Sequence, residues 1–174
     1  MKRDRYEEVI TYIVENQEKF YRLAYSYVRD QEDALDIVQN AICRALENYK
    51  TLKNPDALRT WFYRILVNES VSYIRRYGKK VQCEDAMQIL DERQTVNGGC
   101  MIESENASVE ELYQEIYKLP LELQNIIRLH YFEDMKLQEV ADVLELNLNS
   151  VKAKLYRGLK KMRISMEESE IWEK

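Results

Sequence analysis

Apolar residues recur at three- and four-residue steps in two blocks of the chain, one on each side of a stretch without such a pattern. Steps of this size place side chains on one face of a helix, so both blocks are predicted to be helical. In the first block the predicted helices cover residues 6–28, 34–50 and 59–77. The loop before the third of these helices contains Pro55, which disfavours helix at the residue before it.

The second block predicts four shorter helices. Ser108 and Glu111 have the spacing of a capping box, in which each side chain satisfies a free backbone N–H at the start of a helix. Pro120 is expected to end that helix at Leu119. The predicted helices cover residues 108–119, 121–132, 137–144 and 149–166. With 4 glycines and 2 prolines in 174 residues, the composition agrees with an all-α fold class.

A stretch with a weak apolar pattern, residues 79–107, separates the two blocks. It contains the pair Gly98-Gly99 and many acidic residues, and a short helix over residues 85–90 is the one element predicted there. We therefore predict two small helical domains joined by an acidic linker. The predicted boundaries are residues 1–80, 81–107 and 108–174.

Charge is segregated along the chain, although the formal net charge is −5. Residues 81–111 contain eight acids and one base, whereas residues 147–166 contain six bases and no acid. The negative net charge of the whole chain disfavours nucleic acid as a partner, but the excess of cations in residues 147–166 does not. A second basic cluster consists of Arg75, Arg76, Lys79 and Lys80. These cations either cap the C-terminus of the third helix or contact DNA backbone, and the sequence leaves both interpretations open.

The last two predicted helices, with a short turn between them, form a helix-turn-helix pattern. Asn147 is a good N-cap for the second of these helices. On a helical projection one face is apolar and is predicted to be buried; it contains Val151, Leu155, Gly158 and Met162. Cations lie on both flanks of this face, which suits a helix in the DNA major groove. The alternative is a solvated, lysine-rich surface helix.

The aromatic side chains of the third helix are open to two interpretations. They can stack on unpaired bases, or they can pack in the core, as aromatics at helical spacing usually do. Trp61 is predicted to lie in the core, whereas Tyr63 is offset from the apolar stripe and is predicted to be nearer the surface.

Residues typical of catalysis or metal binding are scarce. The single histidine, His130, lies in an apolar helix and is predicted to be packed and hydrogen-bonded. The three cysteines, Cys43, Cys83 and Cys100, form no CxxC pair and are predicted to be reduced thiols. No phosphate loop or metal-ligand motif is present, so we expect neither an enzyme nor a cofactor nor a metal. No apolar stretch approaches about 20 residues, so we expect a cytoplasmic protein without stable membrane insertion.

Both blocks resemble the extracytoplasmic-function sigma factors, the smallest members of the bacterial sigma-70 family of RNA polymerase specificity subunits. In the first block the resemblance rests on DALDIVQNAICRAL and RTWFYRILVNESVSYIRR. In the second block it rests on LPLELQNIIRLHYFEDMKLQEVADVLEL and NSVKAKLYRGLKKMR. Two motifs in this order, joined by an acidic linker, are more specific than a lone helix-turn-helix.

The resemblance implies an alternative sigma factor that binds core RNA polymerase, recognises the −10 and −35 promoter elements and promotes strand opening. The first domain would correspond to sigma region 2. Asp36 and Gln39 match the family's acidic-x-x-Gln pattern and would dock on the clamp helices of the β′ subunit. The loop at residues 50–58 would capture a flipped base, and the third helix would line the melted strand. The residues assigned to these DNA contacts are Asn54, Arg59, Tyr63, Arg75 and Arg76.

The second domain would correspond to sigma region 4, which would bind the −35 element and touch the β flap. The residues assigned to this DNA contact are Asn149, Ser150, Lys152, Lys154, Arg157 and Lys161. The acidic linker would thread toward the RNA exit path, where an acidic strand suits a basic channel. The partners implied are core RNA polymerase, promoter DNA and an anti-sigma factor.

The chain departs from the family pattern at four positions. Glu145 stands where the family usually has glycine, and a non-glycine residue at positive φ costs about 1 kcal/mol. Lys136 replaces the usual Ser or Thr cap. Asn40 and Leu46 stand where an acid and an aromatic residue are common. These departures bear on promoter details rather than on the class of protein.

Three other functions remain as alternatives. An ordinary helix-turn-helix regulator would bind DNA without polymerase, but the first block offers no evident effector pocket. A sigma-like decoy would bind an anti-sigma protein and never DNA, which the cations of the last helix disfavour. An enzyme acting on nucleic acid would need catalytic groups that the sequence lacks. Co-purification with core polymerase separates the sigma factor from the ordinary regulator.

Overall fold

The computed structural model describes the backbone of residues 4–84 and 107–172, and within these the side chains of residues 4–78 and 110–163. The regular elements in those residues are helices, which confirms the predicted all-α class. Among the helices so described, none combines the length and apolar character that a membrane span requires. The helix predicted over residues 85–90 and the pair Gly98-Gly99 lie outside the described residues.

Three helices build the first domain: α1 (Arg5–Val28), α2 (Gln31–Asn48) and α3 (Leu58–Glu84). Aspartates begin the first two helices. The Asp4 side chain accepts a hydrogen bond from the Tyr6 N–H at 3.4 Å, and Asp30 accepts one from the Asp33 N–H at 3.0 Å. Short polar side chains at this position satisfy backbone donors that the first turn leaves free.

The core of the first domain has aromatic rings at its centre. Phe20 of α1 and Phe62 of α3 are fully buried, with ring centroids 4.3 Å apart. Apolar residues of all three helices surround this pair: Val9, Ile13, Leu23, Ile37, Val38 and Leu66. Full burial of one such side chain contributes roughly 1.5–3 kcal/mol, so this packing fixes the position of α3 against α1 and α2.

The third helix is longer than the sequence predicts. It continues to Glu84, beyond the predicted end at Tyr77 and past the predicted domain boundary at residue 80. Gly78 lies inside the helix, because a single glycine costs only about 1 kcal/mol relative to alanine and does not end it. Arg75 and Arg76 therefore lie well before the last turn. Their interpretation as C-terminal capping cations is wrong, since the helix dipole acts mainly within the last turn.

The second domain contains α4 (Ala107–Tyr117), α5 (Leu121–Ile127), α6 (Leu137–Leu144) and α7 (Leu148–Trp172), with a π-helical turn (Arg128–Phe132) after α5. Helix α4 begins one residue before Ser108, so Ser108 lies inside the helix and is not its cap. Pro120 separates α4 from α5 as predicted. Helix α6 has the predicted bounds, and α7 runs beyond the predicted end at residue 166.

Side chains from α5, α6 and α7 form the core of the second domain. Ile126, Val140 and Val151 are fully buried there. His130 of the π-helical turn lies with Nδ1 2.7 Å from the backbone oxygen of Met135, which confirms its predicted packed and hydrogen-bonded role. This core holds α6 and α7 in the relative positions of a helix-turn-helix.

The two domains contact each other. Helix α3 of the first domain packs against α6 of the second. Across this contact the Arg64 guanidinium donates to the backbone oxygen of Asp142 at 2.6 Å. On the side of α1, the Tyr27 hydroxyl donates to the Asn125 side-chain oxygen at 2.7 Å. The surfaces that face each other thus carry hydrogen-bonding groups.

Candidate nucleic-acid interface

The turn between α6 and α7 passes through a residue in the left-handed conformation. Glu145 has φ 56° and ψ 39°, and its N–H bonds to the backbone oxygen of Ala141. The Leu146 N–H bonds to the same oxygen at 3.0 Å. The expectation of a non-glycine residue at positive φ is therefore confirmed, and the chain accepts about 1 kcal/mol of strain at this position.

Both helices of the helix-turn-helix begin with a hydrogen bond to a side chain. The Asn147 side-chain oxygen accepts from the Ser150 N–H at 2.7 Å, which confirms Asn147 as the N-cap of α7. At the start of α6, the Lys136 side chain makes no capping bond. Instead the Glu139 carboxylate accepts from the Lys136 N–H at 2.8 Å. That contact is one half of a capping box. One backbone N–H at the start of α6 is therefore hydrogen-bonded even though Lys136 replaces the usual Ser or Thr.

One face of α7 is buried, as predicted. Val151, Leu155 and Met162 are 0%, 9% and 8% exposed. Gly158 lies on the same face, where an added Cβ would meet the Ile127 side chain at 3.4 Å. This face anchors α7 on the second domain, and it fixes which side chains point away from the protein.

The opposite side of α7 carries exposed polar and cationic residues. Four of the six residues assigned to the −35 contact are exposed, namely Asn149, Lys152, Arg157 and Lys161, and the other two, Ser150 and Lys154, are half-buried. Lys160 and Arg163 add further exposed cations on the same helix. A convex, positively charged helix face of this kind presents donors both to phosphates and to base edges.

Lys154 differs from the other cations of α7. Its ammonium forms an ion pair with the Glu122 carboxylate of α5, and its side chain is 21% exposed. In this arrangement Lys154 points along the protein surface. A DNA contact by Lys154 requires that it leave Glu122, so its predicted role stays a prediction.

Tyr156 is a further candidate for this surface. It is 73% exposed, which is unusual for a large aromatic side chain, and it lies beside Arg157 on α7. Tyr156 was not among the residues assigned to the −35 contact. The available signal was the spacing of four residues from Lys152, which puts both side chains on one face of a helix.

The two residues assigned to core polymerase lie on α2. Asp36 and Gln39 are both exposed, three residues apart, on the side of α2 that faces solvent. Leu35, beside Asp36, is 50% exposed. An exposed apolar residue next to polar ones is compatible with a protein-binding surface, although single exposed apolar residues are common.

Three of the residues assigned to the −10 element are exposed, one in the loop before α3 and two on α3 itself. Asn54 is exposed, and its side-chain oxygen accepts from the Asp56 N–H at 3.1 Å, so it caps the short 3₁₀ turn (Pro55–Ala57) before α3. Arg75 and Arg76 are exposed further along α3. Asn54, just before the start of α3, is therefore separated from Arg75 and Arg76 by several turns of that helix.

Tyr63 is buried and not near the surface as predicted, whereas Trp61 is half-buried and packs against the core of the first domain. Trp61 is partly exposed, and its indole N–H donates to the Thr51 hydroxyl at 3.2 Å. Tyr63 is 2% exposed, and its hydroxyl donates to the Glu133 carboxylate of the second domain. The prediction of a surface position for Tyr63 was wrong because it considered the apolar stripe of one domain, and the second domain covers that side of α3.

Arg59 lies beside Tyr63 in the same contact. Its guanidinium donates to the Glu133 backbone oxygen at 2.6 Å and to the Glu139 carboxylate at 3.5 Å. Burial, followed by the charge of Glu133, raises the pKa of Tyr63, so the phenol stays protonated and remains a donor. Burial also raises the pKa of Glu133, an effect that the Tyr63 hydrogen bond and nearby cations oppose.

No group of three or more His, Cys, Asp or Glu side chains in the part of the chain that the structure describes is arranged to hold a metal ion.

Two family models match the chain, one in each domain. The model of Sigma-70 region 2 matches residues 12–80, and the model of Sigma-70 region 4 matches residues 109–162. The first match contains α2 with Asp36 and Gln39, and the second contains the helix-turn-helix. The order of the two models along the chain is the order expected from the sequence.

Curated relatives match almost the whole chain. RNA polymerase sigma factor SigV of Bacillus subtilis is 36% identical over 164 residues, which cover 94% of this chain and 93% of the relative. ECF RNA polymerase sigma factor SigW of the same organism is 28% identical over 84% of this chain and 82% of its own length. The likeness thus extends across both domains.

Solved structures share the fold. CnrH, solved in complex with the cytosolic domain of CnrY, matches with a TM-score of 0.66 at 18% identity, covering 92% of this chain and 88% of that chain. The sigma factor RpoE of Bartonella quintana, solved with the anti-sigma factor NepR, matches with a TM-score of 0.68 at 17% identity, covering 90% of this chain and 95% of that chain. Taken with the relative that is 36% identical along nearly its full length, these findings show that the chain belongs to the extracytoplasmic-function group of the sigma-70 family and is an alternative sigma factor for transcription initiation.

Proposed function

We propose that the second domain binds the duplex −35 element through α7, while the first domain binds core polymerase and the opened −10 strand. The observation that carries this proposal is the two-sidedness of α7. Its apolar residues Val151, Leu155 and Met162 are buried, and Lys152 and Arg157 are exposed on the other side. A helix anchored in this way presents its cations to a groove as one rigid surface.

Contacts on α7 divide into two kinds. Residues in its first turns, such as Ser150 and Lys152, lie where base edges are reached in a helix-turn-helix complex. Lys160 and Lys161, further along, are suited to phosphates, which dominate affinity and make it fall with salt. Tyr156 adds an apolar ring next to these donors, and apolar contact with a thymine methyl group is a known form of base readout.

The first domain has two separate tasks. Asp36 and Gln39 on the exposed side of α2 bind the clamp helices of the β′ subunit. Asn54, at the turn before α3, contacts a flipped base of the −10 element. Extruding that base costs a few kcal/mol, which a pocket must return through stacking and hydrogen bonds. The exposed Arg75 and Arg76 follow the backbone of the melted strand along α3.

The remaining assignments follow from the division into two domains. The proposed domains are residues 1–80, with α3 extending past this boundary to Glu84, and residues 108–174, and the acidic segment between them runs through the polymerase toward the RNA exit path. The second domain also touches the β flap. Phosphodiester chemistry stays with the polymerase core, so the chain itself is not an enzyme and needs no cofactor. It acts in the cytoplasm, where core polymerase is found.

An anti-sigma factor is the third partner. The two structural neighbours were solved in complex with CnrY and with the anti-sigma factor NepR, respectively. The chain shares their fold across both domains, so a regulator of the same class has a comparable surface to bind.

Run-off transcription with mapped start sites tests the proposed function. The purified chain is added to core polymerase on genomic templates, and a defined subset of promoters is expected to become active. A control reaction contains the chain with Asp36 and Gln39 both changed to alanine, which leaves the cores of both domains intact. Transcription from no promoter, with core polymerase shown to be active with another sigma factor, contradicts the proposal.

A further inference from the structure

A cavity of about 530 Å³ lies where the two domains meet. Its walls come from α1 and α3 of the first domain, and from α4 and the π-helical turn with the loop after it in the second. Small-molecule sites occupy clefts of roughly 300–1,000 Å³ and are common at domain interfaces, with a few polar groups that orient the ligand. The size and place of this cavity therefore fit a small organic ligand, and its side chains indicate which kind.

Two cations line the cavity on the side of α1. Lys19 and Arg22 lie three residues apart, so both side chains are on one face of the helix. Lys19 makes no hydrogen bond or ion pair with any described residue. Arg22 pairs with Glu18, but the two side chains are 58% and 73% exposed, and exposed pairs of this kind contribute little. Both cations are thus available to an anion that enters the cavity.

The third cation of the cavity, Arg59 of α3, is already engaged. Its guanidinium donates to the Glu133 backbone oxygen at 2.6 Å and lies 3.5 Å from the Glu139 carboxylate. Arg59 therefore closes the cavity on the side of α3, and Lys19 and Arg22 are the cations left for a ligand.

Aromatic rings line the cavity on the side of the second domain. Tyr113 of α4 and Phe132 of the π-helical turn have ring centroids 5.6 Å apart. Both residues are half-buried, so their rings keep exposed surface on which a planar ligand ring can stack. Tyr12 of α1 adds another ring to the lining.

Glu133 supplies a hydrogen-bond acceptor in the same cavity. Its Oε2 atom accepts from the Tyr63 hydroxyl, whereas Oε1 has no hydrogen-bond partner in the part of the chain that the structure describes. Burial raises the pKa of this carboxyl, and the Tyr63 hydrogen bond and the charges of Arg59, Lys19 and Arg22 oppose that effect. A ligand N–H that donates to Oε1 fills the free position of the carboxylate.

We infer that this cavity binds a small aromatic anion that carries hydrogen-bond donors, and that nucleoside monophosphates are the chemical class that fits it. The phosphate pairs with Lys19 and Arg22, the base stacks on Phe132, and an N–H of the base donates to Glu133. A sugar phosphate lacks the ring and a nucleoside lacks the anion, so neither uses all three groups. The inference does not depend on the promoter contacts proposed for α3 and α7.

Each domain contributes half of this site. Lys19 and Arg22 belong to the first domain, whereas Phe132 and Glu133 belong to the second. A ligand held by both domains binds the folded chain and not the unfolded one, so it raises the melting temperature by mass action.

Isothermal titration calorimetry on the full chain, at about 0.15 M salt, measures ligand binding. AMP and GMP are the probes, and ribose 5-phosphate, adenosine, guanosine and inorganic phosphate are the comparison ligands. At least one of the two nucleotides is expected to bind about tenfold more tightly than any comparison ligand, since only a nucleotide engages cations, ring and acceptor together. The same nucleotide is expected to raise the melting temperature.

Variants of the lining locate the bound nucleotide. Lys19→Ala should weaken its binding about tenfold, because a charge-assisted hydrogen bond is lost. Phe132→Leu, which keeps an apolar side chain but removes the ring, should weaken it at least about fivefold. Lys53→Ala removes an exposed cation in the loop before α3, outside the cavity, and is the matched control that should bind as the wild type does. Circular dichroism checks that each variant keeps its helix content, and the exposed position of Lys19 keeps that variant folded.

Three results would overturn the inference. The first is that neither AMP nor GMP binds at millimolar concentration. The second is that inorganic phosphate binds as tightly as the nucleotides, since the rings then contribute nothing. The third is a loss of affinity for Lys53→Ala as large as that for Lys19→Ala, which places the nucleotide on general surface charge. None of these results bears on the proposed function, because transcription is not measured.

Discussion

The outer face of α7 and the inner side of α3 are both assigned to DNA, but they differ in what covers them. On α7, Lys152 and Arg157 face solvent in the isolated chain. On α3, Tyr63 is 2% exposed and Arg59 is engaged by the second domain. The proposed surface for duplex DNA is thus exposed, whereas the proposed surface for single-stranded DNA is covered by the second domain. The sequence of one helix is enough to find the first kind of surface and not the second.

The largest effect is expected from a charge placed under the proposed surface for duplex DNA. Val151→Asp puts a carboxylate into the core that holds α7, and should lower the free energy of unfolding of the second domain by more than about 3 kcal/mol. Ala153→Asp, at an exposed position of the same helix, is the control. Urea unfolding followed by circular dichroism measures both. Equal losses for the two variants contradict the assignment of the buried face.

Removal of one exposed cation of α7 should have the next largest effect. Arg157→Ala removes a donor that is proposed to face the groove, and the expected cost is about 1–3 kcal/mol, or about 5- to 150-fold in promoter affinity. Lys118→Ala, a cation outside α7 that pairs with Glu115, is the control and should change affinity little. Binding of holoenzyme to labelled promoter DNA at fixed salt measures the difference. A loss for Lys118→Ala as large as that for Arg157→Ala shows that nonspecific charge, and not α7, determines binding.

A smaller effect concerns the turn that positions α7. Glu145→Gly relieves the positive φ and should stabilise the second domain by about 1 kcal/mol relative to Glu145→Ala. Both variants lose the contact of Glu145 with Arg64, so the comparison isolates the backbone conformation. Thermal unfolding measures the two chains. If glycine is no more stable than alanine at this position, the turn carries no strain.

The smallest effect is expected from releasing Lys154, the cation of the −35 set that is ion-paired with Glu122. Glu122→Gln releases Lys154 and should tighten promoter binding by less than about fivefold, with the gain lost as salt rises. Glu111→Gln, which removes an exposed acid of α4, is the matched control. Equal affinities for the two variants over a salt titration argue that Lys154 does not contact DNA.

The helix-turn-helix was predictable because its signals are local. The predicted helix over residues 137–144 has the observed bounds, and Asn147 caps α7 as its side chain suggests. The spacing of Val151, Leu155 and Met162 identified the buried face, because in a helix anchored on one side the apolar stripe and the burial coincide. Even the strained turn at Glu145 followed from the glycine that the family usually has there.

Other features depend on residues distant in sequence. The burial of Tyr63 is caused by Glu133, seventy positions later, and no periodicity within α3 reports that contact. The fully buried Arg128 was likewise missed, since a single arginine in an apolar helix gives no signal of a partner on another domain. The end of α3 was misplaced for a different reason, because Gly78 disfavours helix too weakly to terminate it.

Site-specific photo-cross-linking tests the central claim most directly. Benzoylphenylalanine placed at position 156, on the exposed side of α7, should cross-link to duplex DNA at the −35 element in the initiation complex. The same probe at position 155, on the buried side, should cross-link within the protein. Cross-links from position 156 to polymerase subunits or to the chain itself, with no DNA product, would contradict the claim that this face of α7 reads the promoter.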